Sequence, residues 1–511
     1  MSVITLSTLI KELCCRSFYN ITREFEEIKG ISFDSRHVKP GHIFVAVKGE
    51  KYDGHGYIEE AITKGAKAVV AEKKSPEGCP VAWLEVSDTR LALAQLAVAY
   101  FHKPSGELFL TGVTGTSGKT TTTCMLQEIY HTAGLNTGLI GTLYIKCRRQ
   151  VWPARLTTPD SFELQKLLRY MVDSGVSHAA MEVSSHGLAL KRVDGTEFRG
   201  AVFTNISPNH LDFHLDLKNY SKAKVRLASL VHPEGFILVN GDDPVLQQQY
   251  FPTKIVPIFF GTGGANDFII ENISLSENGS RFQLKIKNRN SMGKIHLPKE
   301  ASFQVFVLGR HNVFNAAAAA SAAFLAGIDE ESIVAGLSSF RVVERRMQPH
   351  RLGELNIIDD TAMNPGSIDA VFRTVDELSL PNPVVVYAIR GSRGTEVNED
   401  NGRSLARWVK ALNIRHFICT CSTGHVDEEN EVLPEEKEAF LRGAFSAGRF
   451  PEHFTELPEA LAQAVKVASP GSTLLLLGAQ GMDAGLKILQ EQLQEEKVFS
   501  DRVSYIKDNQ Y

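Results

Sequence analysis

The sequence lacks the features that direct a protein to a membrane, to an oxidising compartment or to nucleic acid. Its seven cysteines form no disulfide framework and no zinc-spaced set, so we expect reduced, structural thiols. No apolar run reaches the roughly 18 residues of a membrane span, and no signal peptide opens the chain. The formal net charge of −4 provides no strong field toward nucleic acid or anionic lipid. We therefore expect a cytoplasmic protein that binds neither nucleic acid nor a membrane.

The length of 511 residues predicts roughly three domains. The first, residues 1–105, is a small α/β unit, in which apolar runs at Ile43–Val47 and Lys67–Ala71 have strand length. Arg90–His102 has helical spacing and stops before Pro104, where we place the first boundary.

The second predicted domain, residues 106–341, alternates strands with helices. Leu108–Val113 reads as a buried strand, Gly115–Gly118 as a turn and Lys119–Ala133 as a helix. Further short apolar runs repeat this order, which predicts a mostly parallel, doubly wound sheet. The third domain, residues 342–511, shows the same alternation, and the predicted fold class is α/β throughout.

A glycine-rich loop at residues 112–121 follows a strand and opens a helix, the setting of a phosphate-binding loop. The strict pattern GxxxxGK[ST] is not met, because position 113 is valine. Glycines let the backbone approach phosphates, and a helix N-terminus attracts anions. We expect Lys119 to contact the β- and γ-phosphates of a nucleotide and Thr120 to place its hydroxyl on Mg²⁺. The residues assigned to this nucleotide site are Gly115, Thr116, Ser117, Gly118, Lys119, Thr120 and Thr121. The loop alone does not separate a GTPase, a transport ATPase and a ligase.

Polar side chains at the ends of the next two predicted strands extend this site. Glu182 lies at the end of one predicted strand, and His210 lies in the segment that follows the next predicted strand. Because carboxyl ends of parallel strands meet at one sheet edge, a carboxylate, an imidazole and the Thr120 hydroxyl predict a Mg²⁺ site. A single histidine is more often a structural surface residue, so the prediction depends on this shared placement.

Several motifs together resemble the Mur ligases. They are TGTSGKTT (114–121), LTTPD (156–160), MEVSSHGL (181–188), FTNISPNHLDFH (203–214), YSKAK (220–224), LVNGDD (238–243) and LGRHNVFNAAAA (308–319). At the N-terminus, FDSR (33–36) and DGH (53–55) resemble the UDP-binding domain of the family branch that adds the third amino acid to UDP-N-acetylmuramoyl-L-alanyl-D-glutamate. The resemblance implies three domains, with a central phosphate-loop sheet and a Rossmann-like C-terminal domain.

The resemblance also implies roles for individual residues. Lys224 matches a lysine that the family carbamylates, so that it would bind Mg²⁺ with Thr120, Glu182 and His210; by residue type alone it is an ordinary helix lysine. Catalytic roles fall on Lys119, Lys224 and His210. The UDP-sugar-peptide would contact Ser35, the Glu50–Tyr52 turn, Thr157, Thr158, Ser184 and Arg192. The nucleotide would also contact His311, Asn312, Asn315, Arg346 and Asp360.

The implied reaction is ATP-dependent formation of an amide bond in peptidoglycan precursor synthesis, a step needed for cell shape and division. The ATP γ-phosphoryl group is transferred to a substrate carboxylate, and the amine of a free amino acid attacks the acyl phosphate. The expected cofactors are ATP and Mg²⁺, the expected substrates UDP-muramyl dipeptide and an amino acid, and the expected state a monomer.

The C-terminal domain departs from the family pattern. Three motifs of the family are altered here: PGRM is replaced by residues 344–347 (ERRM), DYAHTPDS by residues 360–367 and FGCGGDRD by residues 387–394. The last of these segments retains Arg393, which is the expected contact of the amino acid. The diaminopimelate signature DNP[RK] has no counterpart, because Cys421–His425 stand in its place. An alternative is therefore a paralogue that joins an amino acid to a different carboxylate. A silent binding protein is disfavoured, because Lys119, Thr120, Glu182, His210 and Lys224 are all present.

Overall fold

The computed structural model describes residues 4–13, 15–20, 26–49, 52–287 and 297–494. The chain forms two compact units, one of residues 1–269, 285–299 and 317–336, and one of residues 270–284, 300–316 and 337–511. Among the described residues, no helix combines the length and apolar character required to cross a membrane.

The first unit begins with a five-stranded sheet in the order β1-β5-β4-β3-β2, parallel except for β1. Alternate residues of its strands enter two separate apolar cores, one on each face, which is why the strands read as continuous apolar runs. The strands are β1 Cys15–Tyr19, β2 Gly30–Ser32, β3 His42–Val45, β4 Ala68–Ala71 and β5 Ala82–Val86, and the helices are α1 Leu6–Ile10, α2 Ile58–Thr63 and α3 Thr89–Tyr100.

A second sheet of the first unit carries the predicted phosphate loop. Its strands run in the order β13-β12-β11-β6-β10-β7-β8-β9, parallel from β13 to β7 and antiparallel at the last two pairings. The strands are β6 Phe109–Thr114, β7 Thr137–Ile140, β8 Tyr144–Cys147, β9 Gln150–Pro153, β10 His178–Glu182, β11 Phe198–Phe203, β12 Val231–Asn240 and β13 Ile258–Gly261. The helices are α4 Lys119–Thr132, α5 Ser161–Asp173, α6 Ser185–Ala189, α7 Leu211–His214 and α8 Leu217–Val225.

The register of this sheet brings the motifs to one edge. Glu182 at the end of β10 is opposite Val113 of β6, and Phe203 at the end of β11 is opposite Thr114. The segments that follow these three strands therefore start side by side. The remaining elements of residues 268–339 are β14 Phe268–Ser276, β15 Gly279–Ile286, β16 Glu300–Val305, α9 Arg310–Leu325 and α10 Glu330–Ser339.

The second unit contains a six-stranded sheet in the order β17-β18-β22-β19-β20-β21, parallel except for β17. The strands are β17 Gln348–Leu352, β18 Leu355–Asp360, β19 Val384–Ala388, β20 His416–Thr420, β21 Glu452–Phe454 and β22 Thr473–Leu477. The helices are α11 Pro365–Glu377, α12 Thr395–Ala411, α13 Pro434–Ser446 and α14 Leu457–Val467. The α/β class is confirmed; the domain boundaries at 105 and 341 stay a prediction.

Candidate active site

The loop between β6 and α4 requires glycine at two positions. Gly115 has φ +151° and Gly118 has φ +85°, a region that L side chains rarely adopt. A Cβ atom at Gly115 would also overlap the Thr204 hydroxyl. The segment after β11 therefore approaches position 115 too closely for a side chain there.

The segment after β11 holds this loop in place. The Ser117 N–H donates to Asn205 Oδ1 at 2.9 Å, and Asn205 Nδ2 donates to the Ser117 carbonyl at 3.0 Å. The Thr204 hydroxyl donates to the same carbonyl at 2.6 Å, and the Thr116 N–H donates to the Asn205 carbonyl. The loop is thus preformed, so little conformational entropy has to be lost when a phosphate binds.

Two lysines meet at the loop carbonyls. Lys119 Nζ donates to the carbonyls of Gly115 and Thr116 at 2.9 and 3.0 Å, and Lys224 Nζ donates to the Gly115 carbonyl at 2.7 Å. Lys224 is 1% exposed and lies 4.6 Å from the centre of the Tyr220 ring. Burial, assisted by the charge of Lys119, holds the pKa of Lys224 well below its ordinary value. Burial therefore shifts this amine toward its neutral form.

The buried Glu182 carboxylate joins three elements. Its Oε2 accepts from the hydroxyl groups of Thr120 at 2.9 Å and Thr142 at 3.1 Å, and its Oε1 accepts from the Thr142 N–H at 2.7 Å. Carboxylate and hydroxyl oxygens are ligands that Mg²⁺ prefers. Among the described residues, no group of three or more His, Cys, Asp or Glu side chains is arranged to hold a metal ion, so such an ion would also need phosphate or water ligands.

The predicted sugar-peptide residues lie beside Glu182. The Thr142 and Thr157 hydroxyl oxygens are hydrogen-bonded at 3.1 Å. The Thr158 hydroxyl donates to the Glu182 carbonyl at 3.0 Å and accepts from the Ser184 N–H at 2.9 Å, while Arg192 Nη1 donates to the Thr158 carbonyl at 3.0 Å. The structure thus brings Thr157, Thr158, Ser184 and Arg192 together.

His210 belongs to a cluster of imidazoles. Its ring centre lies 4.8 Å from that of His186, which lies 5.6 Å from that of His214. Burial, with like charge from His186 and Lys224, lowers the pKa of His214 to about 4. This ring is therefore neutral at physiological pH, whereas the role of His210 on a metal stays a prediction.

Ser35 lies in a short helical turn that follows β2, where its hydroxyl donates to Glu60 Oε2 at 2.9 Å. Lys64 Nζ donates to Glu60 Oε1 at 2.6 Å and to the Ser35 carbonyl at 3.1 Å. Ser35 is buried, and its oxygen is left as an acceptor. In the predicted Glu50–Tyr52 turn, Glu50 and Lys51 lie outside the described residues.

The remaining predicted nucleotide contacts belong to the second unit. Asn312 Nδ2 donates to the Leu308 carbonyl at 2.8 Å, and Asn315 Nδ2 donates to Asn312 Oδ1 at 3.0 Å. Burial lowers the pKa of His311. These bonds order the start of α9, and contact with a nucleotide stays a prediction for all three residues.

The side chains of Arg346 and Asp360 form hydrogen bonds with the segments next to them. The Asp360 carboxylate accepts the N–H groups of Met347 and Ala362, each at 2.7 Å. Arg346 Nη1 donates to the Thr361 hydroxyl at 2.8 Å. Asp360 therefore ties the segment before β17 to the end of β18, and its expected contact with the nucleotide stays a prediction.

Comparison with known proteins matches three regions of the chain. Residues 27–101 match "Mur ligase family, catalytic domain", 113–323 match "Mur ligase middle domain" and 345–480 match "Mur ligase, glutamate ligase domain". A Geobacillus kaustophilus protein named UDP-N-acetylmuramoyl-L-alanyl-D-glutamate--2,6-diaminopimelate ligase is 34% identical, covering 88% of this chain and 90% of that protein. A protein of the same name from Chlorobaculum tepidum is also 34% identical, covering 93% and 91%.

The chain belongs to the Mur ligase family.

Solved structures agree at the level of the fold. A structure of a UDP-N-acetylmuramoyl-L-alanyl-D-glutamate--2,6-diaminopimelate ligase has a TM-score of 0.67 at 21% identity, covering 97% of this chain and all of that one. MurF from Acinetobacter baumannii has a TM-score of 0.67 at 23% identity, covering 96% and 99%. The three-domain Mur ligase architecture is confirmed, and the chain is an ATP-dependent ligase that uses Mg²⁺ in peptidoglycan precursor synthesis.

The residues present fit the ATP and Mg²⁺ of a Mur ligase. The preformed loop, the N-terminus of α4 and Lys119 present positive charge for phosphates, and the paired oxygens of Glu182 and Thr120 suit a hard cation. The role of Thr142 was not predicted from the sequence, although Thr142 lies just after the end of β7, as Glu182 lies at the end of β10. Thr204 and Asn205 belong to the motif FTNISPNHLDFH, but no role was predicted for them. Thr142, Thr204 and Asn205 all follow the end of a strand, and this position is the signal that could have identified them.

Proposed function

We propose that this Mur ligase joins an amino acid to UDP-N-acetylmuramoyl-L-alanyl-D-glutamate. The observation that carries the proposal is that the phosphate loop and the expected substrate residues meet at Glu182. Its carboxylate accepts from Thr120 and Thr142, Thr142 is hydrogen-bonded to Thr157, and the Glu182 backbone carbonyl accepts from Thr158. It links the nucleotide side to the expected carboxylate-substrate side. The names of the relatives, which specify this UDP-dipeptide, support the same substrate.

The reaction proceeds in two steps. A carboxylate oxygen of the dipeptide attacks the γ-phosphorus of ATP, the bond to the β–γ bridging oxygen breaks, and ADP leaves. The amino acid's amine then attacks the carbonyl carbon of the acyl phosphate, phosphate leaves, and the nitrogen loses a proton. Lys119 and the α4 N-terminus counter the phosphate charge. Thr120, Glu182, His210 and carbamylated Lys224 would hold Mg²⁺, which supplies further charge neutralisation.

The incoming amino acid is assigned to Arg393, whose guanidinium suits a carboxylate. The relatives' names specify 2,6-diaminopimelate, while Cys421–His425 replace the signature expected for that substrate. The divergent C-terminal domain favours, as a second candidate, a paralogue that joins an amino acid to a different carboxylate substrate. We further propose that the enzyme acts in the cytoplasm. We also propose that it is a monomer, which light scattering on the purified protein would test.

A phosphate-release assay with the UDP-dipeptide and a panel of amino acids tests the proposal. We expect ATP-dependent release with the UDP-dipeptide and one member of the panel, and mass spectrometry should detect the tripeptide product. Lys119→Ala serves as the inactive control. Turnover with another carboxylate, and none with the UDP-dipeptide, would overturn the substrate assignment in favour of the paralogue.

A further inference from the structure

Glu436, on the first turn of α13, holds the loop that carries Arg393. Its carboxylate accepts three consecutive backbone N–H groups, from Ser392 at 3.0 Å, Arg393 at 2.8 Å and Gly394 at 2.7 Å. It also accepts the Leu433 N–H at 3.1 Å. Glu436 is only 2% exposed, and a buried carboxylate is stable only when its oxygens are satisfied in this way.

The carboxylate of Glu436 lies close to the N-termini of two helices, α12 and α13. It contacts the loop that precedes α12, and it lies in the first turn of its own helix. A negative charge near a helix N-terminus is stabilised by the unpaired N–H groups there. Through the Gly394 N–H, Glu436 also contacts the N-cap residue of α12.

The two helices that frame the loop are in direct backbone contact. A Cβ atom at Gly402 of α12 would overlap the Phe440 carbonyl of α13, and one at Gly443 of α13 would overlap the Glu399 carbonyl of α12. Because such close approach leaves no room for sliding, the carboxylate of Glu436 has a fixed position relative to residues 392–394.

The side chain of Arg393 is not used by the fold. It is exposed, and its guanidinium makes one long hydrogen bond, 3.4 Å to the Ser392 carbonyl. Among the described residues, no carboxylate pairs with it. We propose that Glu436 is a positioning residue that fixes the Arg393 backbone so that this guanidinium meets the carboxylate of the incoming amino acid. This inference rests on the proposed function.

Glu436→Gln tests the proposal, because the amide replaces one acceptor oxygen by a donor that faces the N–H groups. We expect KM for the amino acid to rise about tenfold, equivalent to about 1.4 kcal/mol, with kcat and KM for ATP changed less than about twofold. Glu435→Gln is the matched control, since Glu435 is the exposed neighbour on the same helix turn. A parallel rise in KM for ATP would overturn the proposal.

A double-mutant cycle with Arg393→Ala separates positioning from a general structural effect. If Glu436 acts through Arg393, Glu436→Gln added to Arg393→Ala should change KM for the amino acid by less than about twofold. Independent, multiplying effects would refute the assignment. Should Glu436→Gln not fold, Glu436→Asp keeps the charge, withdraws the carboxylate by one methylene, and is expected to raise the same KM severalfold.

Hydrogen exchange gives a readout that does not depend on the substrate. The amides of Ser392, Arg393 and Gly394 should exchange at least about tenfold faster in Glu436→Gln than in the wild type, while amides of β19 keep their rates. Unchanged exchange at residues 392–394 would overturn the positioning role, whatever the activity. If instead the wild type adds no amino acid to the UDP-dipeptide while exchange responds as expected, it is the proposed function that fails.

Discussion

Lys224 acquires its chemical character from the fold and not from its residue type. As part of YSKAK it reads as a solvated helix lysine, yet the structure buries it against Tyr220 and the Gly115 carbonyl. Carbamylation requires an unprotonated amine, and the lowered pKa of Lys224 supplies one. The family resemblance indicated the role, and the burial provides a physical reason for it.

Removing this amine should reduce turnover and leave the loop intact. We expect Lys224→Ala to lower phosphate release by about 100-fold, the scale seen when a group supporting a metal site is lost. Formate or acetate, added to replace the carbamate, should restore part of the rate. Lys222→Ala, at an exposed position of the same helix, should behave as the wild type. Loss of activity without any rescue would contradict the carbamate role.

At the scale of elements, sequence patterns located the buried strands well and the exposed ones poorly. The buried strand predicted at Leu108–Val113 is β6, Phe109–Thr114, because it is a short apolar run whose residues are almost all buried. The hairpin of β8 and β9 was not predicted, since all four residues of β9 are exposed and give no apolar alternation. Where a strand was predicted correctly, the residue at its end was also placed correctly, as Glu182 is at the end of β10.

The segment before β17 departs from the family motif at Arg345. Arg345 occupies the position where the family motif has glycine, and it keeps a left-handed backbone with φ +54°. Its buried guanidinium donates to Asp359 Oδ1 at 3.0 Å and also contacts Asp483 and the Gly478 carbonyl. Burial raises the pKa of Asp359 to about 6, while Arg345 opposes that shift.

Arg345→Met should destabilise the second unit by leaving Asp359 buried without its cation. Breaking a buried pair in this way costs about 3–5 kcal/mol, measurable by denaturant unfolding at pH 8. A raised carboxyl pKa means that the folded state takes up a proton first as the pH falls. The deficit should therefore shrink between pH 8 and pH 5. Arg351→Met, on the exposed side of β17, should change stability by less than about 0.5 kcal/mol. A deficit that does not depend on pH would argue against Asp359 as its source.

At the scale of the whole molecule, the sequence predicted the reaction class more securely than the substrate. The residues expected to bind ATP and Mg²⁺ lie at the neighbouring ends of β6, β10 and β11. Residues that form one sequence motif there are therefore also close together in the fold. The proposed amino-acid site lies in loops at the ends of β19 and β20, such as Cys421–His425, whose residue types match no family signature. Their conformation depends on groups distant in sequence, including Glu436, which no local pattern identifies.

Nucleotide binding should be visible as stabilisation of the folded chain. The loop is preformed by Thr204 and Asn205, so a non-hydrolysable ATP analogue with Mg²⁺ should bind the native state and not the unfolded chain. At a ligand concentration of 100 times Kd this linkage is worth about 2.7 kcal/mol, and it should raise the midpoint of thermal unfolding. Lys119→Ala removes the charge that faces the phosphates, so its midpoint should barely respond to the same ligand. Chelation of Mg²⁺ should reduce the wild-type shift, because Thr120 and Glu182 then have no cation to share with the phosphates. An equal shift in Lys119→Ala and the wild type would place the nucleotide elsewhere than on this loop.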